Sequence, residues 1–86
     1  MRFERFETGY KMSDTYIAAA ILCEKDMEFA GVELVEGNAK QSQFVIKGDP
    51  DRIKKIIDQF FNAKLSVDAS LYKTKLQLLR MELHAR

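Results

Sequence analysis

Few side chains in this sequence can serve as nucleophile, base or metal ligand, and their spacing keeps them apart. Cys23 and His84 are the single cysteine and the single histidine, and there is no tryptophan and no glycine-rich loop to cradle a phosphate. Nucleophilic catalysis needs a nucleophile, a base and an orienting group held together. His84 stands near a helix terminus, where fraying works against the close placement that proton transfer requires. A structural zinc ion takes four cysteine or histidine ligands, so this pair cannot complete such a site within one chain. Carboxylates are more plentiful. Glu24, Asp26 and Glu28 cluster in a connection, but a cation would need further oxygen ligands around them. Asp49 and Asp51 flank Pro50, a triplet read more simply as the start of a helix. The sequence therefore predicts no catalytic residue, no metal site and no cofactor.

Cations offer a second kind of chemistry. The formal net charge is +1, too small for a strong global field, yet it is unevenly spread. From Met1 to Ala30 four basic residues oppose six acidic ones, giving −2; from Asp49 to Arg86 eight oppose five, giving +3. Lys54 and Lys55 on one predicted helix, Lys73, Arg80 and Arg86 on the next, and Lys40 at a predicted hairpin tip could touch phosphates. No base-reading motif accompanies them, and a basic helix face is more often plain solvation.

These side chains need elements to hold them, and the clearest element starts at Gly48-Asp49-Pro50. Asp49 can accept hydrogen bonds from the first free N–H groups, and Pro50 lacks an N–H that no helical carbonyl would use. Ile53, Ile56, Ile57, Phe60 and Phe61 then fall on one side of a 3.6-residue helix, with Arg52, Lys54, Lys55, Asp58 and Gln59 on the rest. An alanine-rich helix from Thr15 to Lys25, capped by Ser13 or Asp14, is apolar nearly all round. Such a helix must be buried on several sides, within the domain or against a second subunit, and Ile17, Ala18, Ile21 and Leu22 are its candidate interface. Cys23 lies on it and is expected to behave as a small core hydrophobe.

Val32 and Leu34 alternate with Glu33, and Phe44 and Ile46 share a face after the polar turn Gly37 to Gln41. This predicts an antiparallel hairpin, which must lie on the helices or gain a further strand to be stable. A short link, Asn62 to Val67, leads to a last helix from about Ala69 to His84, capped by Ser66 or Asp68. Its Tyr72, Leu76, Leu79 and Leu83 form an apolar stripe, which Leu71 and Leu78 widen. Residues 1–12, with Phe3, Phe6 and Tyr10 as anchors, read as a strand or an irregular arm.

The expected fold is a small single α+β domain spanning residues 1–86, with a compact core at 13–84. Its order is helix, β-hairpin, helix, helix, and a two- or three-stranded antiparallel sheet packs on the helices. The 47% hydrophobic content argues against disorder. The longest apolar run, Tyr16 to Cys23, falls far short of the ~20 residues that span a bilayer. Met1 to Phe6 lacks the apolar centre and cleavage site of a secretory signal, so a cytoplasmic setting without membrane contact is expected.

Several short segments also carry a likeness: Asp14-Thr15-Tyr16-Ile17-Ala18-Ala19 followed by Leu22, Gly31-Val32, Phe44, Asp49-Pro50, and Phe61-Asn62 with Val67 beyond. In these, from about Ser13 to Leu83, the chain resembles a family of small bacterial domains of unknown function. It departs from them at Glu24 to Glu28 and at Ala63, where the family has glycine. The resemblance implies a compact α+β domain without assigned catalysis and supplies no site residues. The reading is a non-catalytic interaction or accessory module with a protein partner, itself in a homodimer or another chain. The alternative is a nucleic-acid-binding accessory protein using Lys40, Lys54, Lys55, Lys73 and Arg80.

Overall fold

Each helix start is fixed by an aspartate. In a computed structural model that describes residues 3–35 and 38–84, with the side chains of 35 and 38–41 outside the description, Asp14 accepts from the Ile17 N–H at 2.9 Å. Asp49 accepts from Asp51 at 3.0 Å with Pro50 beside it, and Asp68 accepts from Leu71 at 2.9 Å. These bonds satisfy N–H groups that have no partner inside the helix. They choose Asp14 over Ser13 and Asp68 over Ser66 for helices α1 (Thr15–Leu22), α2 (Pro50–Phe61) and α3 (Ala69–His84).

Four strands, β1 (Phe3–Phe6), β2 (Gly9–Met12), β3 (Glu28–Val35) and β4 (Asn38–Lys47), form one antiparallel sheet in the order β1-β2-β4-β3. The expected two or three strands become four, because the N-terminal arm is itself a hairpin. Its inner positions are apolar at Phe3, Tyr10 and Met12, and pairing with β4 buries Tyr10 and Met12. Gly9 makes that pairing possible: a Cβ there would lie 1.9 Å from the Ile46 carbonyl oxygen. In β3 the register shifts between Phe29 and Gly31, and Gly31 has φ +121°, backbone that a side chain would resist.

The register places Phe3, Met12, Phe44 and Val32 in one row and Tyr10, Ile46 and Phe29 in the next, a face on which the helices lie. Helix α1 packs against β4 and between the other two helices; α2 packs on β2, and α3 on β3. Ile17, Ala18 and Ile21 are 0% exposed and Leu22 is buried. Their burial is intramolecular, which corrects their assignment as a subunit interface: two helices and the sheet already cover these four side chains, and Tyr16 is the exposed large side chain of α1.

Two further expectations are corrected. Ile53, Ile56 and Ile57 are buried as the helical spacing predicts, but Phe61 is 58% exposed. It stands about 40° beyond Ile57, at the edge of the stripe, and meets Phe3 and Phe60 edge-on, with ring centres 6.1 and 6.2 Å away. Cys23 is the C-terminal cap of α1 and only half-buried. The helix stops there, three residues before the predicted helix ends. No helix among the described residues is long and apolar enough to cross a membrane.

Candidate interaction surface

The basic residues singled out in the sequence do not gather on one face. Lys54 Nζ donates to Asp58 one turn on at 3.0 Å, a bond that raises the lysine pKa. Lys55 turns the other way, into a shallow groove shared with Glu24 and Arg52. Lys73 and Arg80 stand exposed on α3, to the far side of α1 from α2. The Lys40 side chain and Arg86 lie outside the described residues.

Three other described cations are matched in ways the sequence did not reveal, while Lys25, Lys47, Lys64 and Lys75 form no ion pair among the described residues. Arg5 meets Asp51 at 3.0 Å, Lys11 meets Glu33 at 2.8 Å, and Arg52 reaches both Asp26 at 3.0 Å and Glu24 at 3.4 Å. Such surface pairs add little stability, but each cancels local field. Their partners are 22 to 46 residues apart, so only the folded topology brings them together. Among the described residues Lys73 and Arg80 have no carboxylate at pairing distance.

Cys23 and His84 are held separately. His84 is the exposed last residue of α3. Burial pushes the Cys23 thiol pKa up, against a smaller opposing effect of the Lys75 charge. Among the described residues no three histidine, cysteine or acidic side chains converge as metal ligands would.

A cleft of about 370 Å³ opens where α2 ends and α3 begins, lined by Ala20, Phe60, Ala63, Leu65, Val67 and Tyr72. Its shape follows from how α2 terminates. The Ala63 N–H bonds to the Phe60 carbonyl at 3.2 Å and the Lys64 N–H to the Gln59 carbonyl at 2.9 Å, with Ala63 at φ +54°. This paired closure satisfies the last carbonyls and turns the chain sharply. The Tyr72 hydroxyl donates to the Tyr16 carbonyl at 3.1 Å, so it is already engaged, and burial raises its pKa. The remaining lining is apolar and carries no charged group.

Helix α3 has a second apolar side. Tyr72, Leu76, Leu79 and Leu83 pack on the core as predicted. Leu71 and Leu78 do not simply widen that stripe: with Met81 they occupy a sector of about 80° turned away from it on a 3.6-residue helix. Leu71 is 39% exposed, Met81 69% exposed and Leu78 half-buried. The spacing of seven and three residues was present in the sequence, but a stripe adjacent to a core stripe is easily merged with it. Full burial of a leucine or methionine contributes roughly 1.5–3 kcal/mol, and this fold leaves most of that unrealised at Met81 and part of it at Leu71.

The chain has no significant match among protein-family models, curated proteins or solved structures. Function is therefore argued from its own residues.

Proposed function

We propose that the domain is a non-catalytic protein-interaction module that engages its partner through α3 and the segment leading into it. The observation that carries this reading is uncovered apolar surface in this region: Val67 is exposed at an apolar cleft by the start of α3, and Leu71 and Met81 are exposed along α3 itself. Exposed apolar groups gathered on one element of a small domain mark a surface that another molecule covers. The cleft favours an apolar side chain over a polar metabolite, because small-molecule sites fix their ligands with several placed polar groups and here the tyrosine hydroxyl is spent on backbone. Nucleic-acid binding draws less support. Lys54 is matched to Asp58, and Lys55 lies to the other side of α1 from Lys73 and Arg80.

Selection of displayed random peptides on the purified protein, with Leu71→Gln/Met81→Gln as counter-selection, tests the proposal. Both side chains are exposed, so the double variant keeps its fold, which circular dichroism verifies. Peptides sharing apolar anchors and lost on the variant are the expected result. Absence of any enriched peptide, or enrichment indifferent to the two substitutions, overturns the reading.

A further inference from the structure

We infer that the outward stripe of α3 docks a second copy of this chain, the two α3 helices crossing antiparallel at Leu78; this names the partner of the interaction reading above and rests on it. At about 100° per residue, Tyr72, Leu76, Leu79 and Leu83 span a sector of about 60°, the one that packs on the core. Leu71, Thr74, Leu78 and Met81 fall in another sector about 80° wide, its centre about 150° from that of the first. The stripe therefore points away from α1 and the sheet, and Leu71, Thr74 and Met81 are exposed on it. Steps of three, four and three residues are the spacing at which two packed helices alternate their contacts.

Charge selects the occupant. Lys75 and Glu82 run along one border of the stripe, about 20–60° from the two leucines, and neither forms an ion pair among the described residues. The other border is Ser70, Gln77 and His84, without a fixed charge. A two-fold axis at Leu78 reverses the charged border, so that Lys75 of each copy stands beside Glu82 of the other, offset by only about 1.5 Å along the helix. Like charges stay apart, the two lysines by about 9 Å and the two glutamates by about 12 Å along the same direction. The same rotation sets Leu78 on its own copy and Met81 of one chain over Thr74 of the other. A parallel copy would face each charged border with a neutral one and gain no such pairs. A nucleic acid or an anionic bilayer would meet Glu82 as a like charge within the contact. The contact is small, so the dimer is weak and depends on concentration.

Sedimentation of the full chain at low salt, up to about 1 mM, tests this. Concentration-dependent dimers are expected, and Leu71→Gln/Met81→Gln should stay monomeric. Lys75→Glu and Glu82→Lys should each weaken self-association about tenfold, because each turns two opposite-charge contacts into like-charge ones. An equal mixture of these two variants should recover the wild-type affinity, since every glutamate then faces a lysine, and added salt should narrow all of these differences. Circular dichroism verifies that each variant is folded; loss of fold would not be repaired by mixing. A wild-type monomer at the highest concentration, single reversals without effect, or a mixture no tighter than its components overturns the inference. If the chain stays monomeric but still selects displayed peptides that Leu71→Gln/Met81→Gln loses, a foreign chain covers the stripe and the interaction reading stands without the dimer. A monomer that selects no peptide removes both.

Discussion

Replacing Ala63 with glycine should make this protein more stable, although it removes a methyl group. Ala63 has φ +54°, a conformation that costs an L-residue with a Cβ roughly 1–2 kcal/mol and glycine almost nothing. Against this, glycine gains unfolded-state entropy worth about 0.4–1 kcal/mol. The Ala63 side chain is exposed, so its removal loses little packing. The net expectation is a gain of about 1 kcal/mol, or roughly 4–8 °C in Tm for a domain of this size. Urea unfolding followed by circular dichroism measures it, with an unchanged denaturant slope showing that the unfolded state is comparable. A loss of stability, as glycine brings at an ordinary helical position, would refute the left-handed closure and the cleft geometry built on it.

Three further outcomes follow from the geometry. Gly9→Ala forces a methyl against the Ile46 carbonyl and should cost at least about 2 kcal/mol, with amide exchange accelerating first in β1 and β2; protection equal to wild type would show that β2 does not approach β4 so closely. Ile53→Ala, at a fully buried site, should cost about 2–5 kcal/mol, whereas Phe61→Ala at an exposed one should cost well under half as much by the same urea assay, and a reversed order would place the core on the wrong side of α2. Because burial raises the Cys23 pKa, the fold favours the protonated thiol. Its contribution to stability is full below the unfolded thiol's pKa and falls as pH rises through the higher folded one. Iodoacetamide labelling of the native protein should accordingly have its pH midpoint above that of the urea-unfolded chain, and coincident midpoints would contradict the half-buried placement.

What was legible in the sequence was local. Asp49-Pro50 announced α2 because both residues act on N–H groups within one turn of themselves. The Val32/Leu34 and Phe44/Ile46 alternations gave β3 and β4 for a similar reason. The β1–β2 hairpin was hidden, because its short strands carry Glu4, Arg5 and Lys11 and gain their stability from β4, more than 30 residues later. The fate of α1 was legible only in half: its apolar circumference demanded burial, but whether by this chain or another depended on where α2 and α3 fell. The cation pairing was not legible at all, since partners such as Arg5 and Asp51 meet only once the sheet has set their elements side by side.

The three helices divide the work of burial unequally, and that division explains why α3 carries the candidate surface. Eight-residue α1 sits in the middle and is buried from Ile17 to Leu22, leaving only its first turn exposed at Tyr16. Helix α2 separates its faces sharply, three isoleucines inward and charged side chains outward, and most of those charges are matched on the protein itself. Helix α3 lies at the margin, where a single stripe suffices to hold it: Leu79 is its one fully buried side chain, and Tyr72, Leu76 and Leu83 complete the seam. Nothing in that packing requires the exposed Leu71 and Met81 on another side. A polar residue at each would fold as well and expose less apolar surface, so their presence is not explained by the stability of this chain. Cover by a partner accounts for them with one assumption.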